Sequence, residues 1–266
     1  MNIFIREIKV NKWSLLFWSI GMFVFVLAGV MKFSAYESSG QNINQVISQI
    51  PKSVQIIVGI NVGADVSTAR GFYSVLFFYL VLVATVHAAL LGAGIISKEE
   101  RDKTSEFLFV KPVTRAKIIS AKLLAALCNV IVLNFVTLVS SVWLVSKYNK
   151  GASATHDIIL LMGGMFFLQL IFLALGAAIA GILKKPKGAA SLAAGILLFT
   201  FILSAFVDIY PKIENLKYMT PFKYFDAKTI TTSGKLDPFY LFLSVIIVVV
   251  LVATTYLSYS KRDLDI

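Results

Sequence analysis

This chain is poor in cysteine, histidine and acid. The single cysteine, Cys128, lies within an apolar run, so neither a disulfide framework nor a multi-cysteine metal site can form, and no metal site is expected. There are 14 Asp and Glu residues against 25 Lys and Arg, a formal net charge of +11. The excess base is scattered between apolar runs, which suits anionic lipid headgroups rather than nucleic acid. No G-x-x-x-x-G-K-[ST] phosphate loop is present, and neither H-E-x-x-H nor G-x-S-x-G occurs. No pair of acids falls inside an apolar run. Paired glutamates of the intramembrane-protease kind require an Arg four residues after the second, but Glu99-Glu100 is followed there by Thr104, and no matching histidine stands in a later run. The chain is therefore not expected to be an enzyme.

What is present is hydrocarbon. The chain is 58% hydrophobic with a mean hydropathy of +0.82, well above the roughly half-apolar norm of soluble domains. Six runs are long enough to cross a bilayer as helices: residues 13–31, 72–96, 118–146, 158–183, 188–210 and 239–260. The expected fold is an all-α membrane protein of six transmembrane helices.

Residues 1–12 read as a separate amphipathic helix lying in the interface. Met1, Phe4, Ile5 and Ile8 form its apolar face, and Arg6, Lys9 and Lys12 lie off it. Residues 32–71 form one outer segment, in which Ile43, Val46, Ile47 and Ile50 recur at helical spacing. Pro51 opens a second short helix there that Gly59 can close. The second run carries a stripe of small residues, Ala84, Ala88 and Gly92. The fourth has Gly163, Gly164, Gly176, Ala180 and Gly181, and the fifth has Ser191 and Gly195. Such stripes permit close helix packing. Polar residues inside the runs are few and neutral. Asn134, Thr137 and Ser141 share one face of the third, with Asn129 elsewhere on it, and Gln169 is in the fourth. They either bond neighbouring helices or line a transport path. His87, the only histidine within a run, reads as a packing residue, with proton carriage the alternative.

Residues 97–122, SKEERDKTSEFLFVKPVTRAKIISAK, interrupt the apolar pattern with four acids and seven bases. Ser97 and Glu100 have capping-box spacing, so a helix start is expected there. Thr104 can cap a short helix that presents Phe107, Leu108 and Val110 and ends before Pro112. Thr114 can cap the helix that follows. The expected shape is an elbow at the membrane surface with apolar side chains at its tip. Placing both termini, this elbow and the Lys184-Lys185-Pro186-Lys187 turn on one side puts fifteen of the 25 bases there. By the positive-inside rule that side is cytosolic.

The order Glu99-Glu100, Thr104, Glu106-Phe107-Leu108, Pro112-Val-Thr-Arg115, Ile118 and Lys122 resembles the loop between the second and third spans of type-2 ATP-binding-cassette (ABC) exporter permeases. Lys103 stands where Gly is common in that family. Pro221-Phe222-x-Tyr224-x-Asp226 and the ending Tyr259-Ser-Lys-Arg-Asp-Leu264 resemble the family's later stretches, in the same order. The resemblance implies that the elbow is a coupling helix docking on a separate ABC ATPase, through Glu99, Glu100, Thr104, Glu106, Phe107, Leu108, Pro112 and Arg115. It implies a substrate pathway, for which Asn129, Asn134, Thr137, Ser141 and Gln169 are candidates. It also implies an outer segment, residues 211–238, that caps the pathway, with Pro221, Phe222 and Tyr224 as outer gate candidates. No cofactor is expected in this chain; ATP and Mg would be bound by two copies of the partner. A second permease copy or a paralogue would complete the assembly, in a bacterial plasma membrane. The cargo expected by analogy is amphipathic peptide of the antimicrobial or phenol-soluble-modulin-like kind. A lipid or drug exporter is the alternative, and a membrane sensor or scaffold that recruits an ATPase without transport is the alternative from another class.

Overall fold

In lipid, backbone N–H and C=O groups have no water to bond, so an apolar run must satisfy them internally as a helix. The computed structural model describes residues 3–39, 43–60, 65–101, 114–149, 153–183 and 188–261, and among these there is no strand. Among the described residues six helices are long and apolar enough to span: α1 (Ile3–Ser39), α4 (Ala69–Arg101), α5 (Arg115–Tyr148), α6 (Thr155–Ile182), α7 (Ala189–Ile209) and α9 (Pro238–Lys261). Short helices α2 (Ile43–Ser48), α3 (Lys52–Ile57) and α8 (Ala227–Ser233) lie between them, with 3₁₀ segments at Pro211–Met219 and Pro221–Lys223. The outward faces are as apolar as the inward ones. Phe17, Phe135, Phe199 and Phe242 are each more than 60% exposed, an arrangement stable only against hydrocarbon.

α6 is the centre of the bundle and packs against α4, α5, α7 and α9, while α1 lies mainly along α5. Because lipid tails are as apolar as Leu, helix association here depends on close packing rather than on removal from water. The closest approach is between α4 and α6. A Cβ on Gly92 would lie 2.1 Å from the carbonyl oxygen of Leu173, and one on Gly176 would lie 2.3 Å from that of Ala89. The two glycines thus let backbone meet backbone in both directions. At the far end of the same pair, Arg70 Nε donates to Asp157 Oδ2 at 2.6 Å. Asp157 is buried and Arg70 largely exposed. On the Ser191–Gly195 stripe of α7, Ser191 is exposed and a Cβ on Gly195 would find nothing within 4 Å among the described residues.

Two expectations about helix ends are corrected. The helix expected over residues 1–12 is not set apart in the interface where it is described, because α1 runs unbroken from Ile3 to Ser39. Packing along α5 selects which face turns inward, so Glu7 is fully buried and Ile5 is 48% exposed. Nor does Ser97 start a helix. Its hydroxyl donates back to the carbonyl of Ala93 at 2.7 Å, inside α4, which continues to Arg101. With no break in the apolar run before it, Ser97 satisfies its hydroxyl within the helix.

The start of α1 and the end of α9 lie on one face of the bundle. The start of α1 and the end of α4 line one cavity, and the start of α5 meets the end of α9 through Arg115. The end of α1 and the start of α4 line another cavity on the opposite, distal face. There α2 and α3 pack onto the bundle instead of trailing from it. Gln55 Nε2 donates to Ile47 and Ile50, joining the two short helices. Gly59, at φ +76°, closes α3 against Phe78. Asn44 and Ser67 bond Asp65, and these hydrogen bonds, that of the Ser67 hydroxyl foremost, hold its carboxyl below the usual carboxylate range.

Candidate coupling face and transport pathway

The face that carries the start of α1 is built from the last turns of α4, the first turns of α5 and the end of α9. Glu99 and Glu100 lie on α4. Thr104, Glu106, Phe107, Leu108 and Pro112 lie outside the described residues, as do the expected short helix that carries them and the Lys184–Lys187 turn. Thr114 caps α5, its Oγ1 accepting from Lys117 N at 3.3 Å. Arg115 follows. Its Nη1 donates to the carbonyls of Ser260 at 3.1 Å and Tyr259 at 3.4 Å, so a cation sits on the carbonyl-rich end of α9, where the helix dipole favours it. Ser120 Oγ and Tyr256 Oη, 2.7 Å apart, add a second tie between α5 and α9. A residue expected to meet a partner thus also fastens the sixth span to the third.

Lys122, counted with the solvated bases of the elbow, is 1% exposed. Its Nζ donates to the carbonyl of Ile95 at 2.6 Å, pinning the start of α5 to the end of α4. Burial of a lysine is tolerated when its protons find acceptors. Together with Glu7, whose Oε1 accepts from Arg6 Nη2 at 2.9 Å while Oε2 has no partner, it places charge inside this end of the bundle.

The candidate polar residues of the spans, Asn129, Asn134, Thr137, Ser141 and Gln169, are all buried. Asn134 Nδ2 donates to Gln169 Oε1 at 2.9 Å and to the Met162 carbonyl at 3.2 Å, bridging α5 to α6. Asn129 and Thr137 bond carbonyls one turn back on their own helix. Gln169 Nε2 is buried without a partner, and the buried Ser141 hydroxyl faces the buried Tyr73 hydroxyl of α4. The structure brings Asn134 and Gln169 together; Asn129 bonds only its own helix. His87 packs its ring against Trp18, centroids 5.0 Å apart, with Nδ1 buried and unpartnered.

At the distal face, Pro221 opens a 3₁₀ turn that carries Phe222 into the bundle. The Phe222 ring lies 5.2 Å from that of Phe172 and 5.1 Å from that of Phe201, which in turn lies 4.9 Å from Phe78. A Cβ on Gly164 would meet Phe225 at 2.9 Å, so the missing side chain leaves room for that ring on α6. Tyr224 stacks on Tyr240 of α9 and donates to the Tyr218 carbonyl; burial pushes its hydroxyl pKa up. Thr220 Oγ1 bonds the Thr200 carbonyl at 2.8 Å, Lys223 pairs with Asp208, and Asp226 caps α8. The result is a plug of aromatic rings seated between α4, α6, α7 and α9. Beside it lies a cavity of about 230 Å³ walled in part by Asp208, Lys223 and Asp226.

A family profile described as ABC-2 family transporter protein matches residues 1–264. The chain belongs to that family. A search of curated proteins finds no match. Membership makes this ABC-2 protein the multi-pass permease component of an ABC transporter, a class of subunit that works with a separate ATPase. Three contacts of the permease were missed by local sequence reasoning: the Arg70–Asp157 pair, the buried Glu7, and Lys122 on Ile95. Asp157 stands in the first turn of the fourth span, where the helix dipole by itself favours an acid, so no local signal pointed to Arg70. The other two depend on which helix faces which.

Proposed function

We propose that this ABC-2 permease is half of an ATP-driven exporter, assembled from two copies, or one copy and a paralogue, with two ATPase subunits that bind ATP and Mg. The face carrying the start of α1 and the end of α9 is cytosolic, in a bacterial plasma membrane, and residues 97–117 form the coupling elbow. Glu99, Glu100, Thr104, Glu106, Phe107, Leu108, Pro112 and Arg115 dock or brace the ATPase. Cargo is amphipathic or apolar, peptides of the antimicrobial or phenol-soluble-modulin-like kind first, and Pro221, Phe222 and Tyr224 belong to the outer gate. The observation that carries this reading is the rigid path from elbow to interior. α4 has 33 residues and α5 has 34, each about 50 Å long, well over the roughly 30 Å of hydrocarbon. On this reading both reach past the membrane on the elbow side.

Each of these levers is fastened to the central α6, α4 by the Gly92–Gly176 approach and α5 by the Asn134–Gln169 bond. Arg115 fastens α5 to α9 as well. When ATPase closure draws two elbows together, each bundle turns as a unit, a rigid-body switch rather than a local bend. Such turning would unseat the aromatic plug at the distal face and let cargo leave. The mid-span polar groups are neutral and already bonded or buried, so nothing there suits an inorganic ion, and the aromatic and aliphatic surroundings suit apolar side chains or tails. The experiment is to purify the chain with its ATPase, reconstitute the complex in lipid, and measure hydrolysis with and without an amphipathic peptide, a phospholipid or a hydrophobic drug. Stimulation by the peptide, with its accumulation across the membrane, is expected. Binding of the ATPase with no cargo moved would favour the scaffold reading.

A further inference from the structure

Between α1 and α4, on the half of the membrane next to the start of α1, lies a cavity of about 330 Å³. Its mouth is polar: Lys98 on α4, and Asn11 and Ser14 on α1. Its depth is apolar, with three aliphatic side chains of α4 and the Trp18 ring over His87 at the bottom. Gly94 leaves the wall open, since a Cβ there would meet nothing within 4 Å. Lys98 has no ion-pair partner among the described residues. Lys98 and His87 are eleven residues apart on one helix, about 16 Å along the membrane normal, close to half of the roughly 30 Å hydrocarbon thickness. The groove therefore runs from the headgroup level to the middle of the bilayer, the depth of a single leaflet.

We propose that this groove is a binding site for one anionic phospholipid, its phosphate on Lys98 and an acyl chain laid along Gly94 towards Trp18. Length and charge both select this occupant. A tail one leaflet long fills the apolar part, and a cationic mouth between helices favours an anionic headgroup.

The test uses the full-length chain with Trp13→Phe and Trp143→Phe, which leaves Trp18 as the only tryptophan. The protein is placed in bilayers doped with phosphatidylglycerol or phosphatidylcholine brominated along the chain, and quenching of Trp18 is followed. Anionic lipid should quench at a mole fraction about fivefold lower than neutral lipid, the effect of one basic group near the surface. Lys98→Gln should equalise the two, and Gly94→Phe should abolish the saturable quenching. Equal quenching by both lipids with wild-type Lys98, or a preference that survives both substitutions, overturns the proposal. So does a Trp18 that neither lipid quenches, which would mean protein covers the groove. Should Gly94→Phe fail to fold, the Lys98→Gln arm decides alone.

Discussion

Replacing Gly92 by alanine is a small change with a calculable effect. The new methyl carbon would lie 2.1 Å from the Leu173 carbonyl oxygen and 2.9 Å from its carbon, where ordinary contact begins at 3.4 Å. The obstructing atoms are backbone, so no rotamer change relieves the clash, and α4 must move from α6 by more than about 1 Å. Overpacking of this sort costs about 1–3 kcal/mol, and because lipid supplies no compensating drive, the upper part of that range is expected. At about 2–4 °C per kcal/mol for a chain near this size, the melting temperature in lipid or mild detergent should fall by roughly 5–10 °C. Gly176→Ala should do the same from the other side. Gly94→Ala is the control, two residues along the same helix with nothing near its Cβ; by helix propensity it should hold or gain about 0.5–1 kcal/mol. Equal melting temperatures for Gly92→Ala and Gly94→Ala would refute the reasoning.

A double-mutant cycle with Asn134→Leu and Gln169→Leu should give a coupling of about 0.6–2 kcal/mol in denaturation of the reconstituted protein. If a cargo route also runs along this seam, Asn134→Leu will change which cargo is exported while assembly persists. Lys122→Glu places a carboxylate against the Ile95 carbonyl and should destabilise by about 3 kcal/mol or more, read as loss of monodisperse protein on size exclusion. With Cys128 replaced, a cysteine at Ser39 should react with an impermeant thiol reagent on intact cells and one at Ser105 should not; the reverse pattern would invert the proposed orientation.

The span count was legible because hydrocarbon imposes a length on apolar runs, and all six candidates appear as helices. The cap at Thr114 was legible because it is local, and so were the small-residue stripe ending at Gly92 and the α6 glycines. What could not be read was set by neighbours. Ser97 has the spacing of a cap, but a serine already inside a helix bonds backwards. Glu7 lies one residue from Arg6 and looks like part of a solvated face until α5 is laid beside it. Lys122 belongs by sequence to a charged stretch, yet it sits two turns into α5, on the side packed against α4. The candidate polar residues were found as residue types, but only the helix arrangement shows that Asn134 meets Gln169. The Pro221–Tyr224 stretch was recognised by resemblance, and its seating against Phe172, Phe201 and Tyr240 came from the fold.

The central claim is that the elbow couples this permease to an ATPase, and the most direct measurement compares two variants of it. Interfaces concentrate their energy in a few buried apolar or aromatic anchors, worth about 2–4 kcal/mol each, whereas exposed rim charges contribute about 0–1 kcal/mol. Phe107→Ala with Leu108→Ala should therefore insert in the membrane at normal abundance, lose the co-purifying ATPase or its cargo-stimulated hydrolysis, and stop export. Lys103→Ala should leave all three nearly unchanged. A double mutant that retains its ATPase and transports normally would contradict the account.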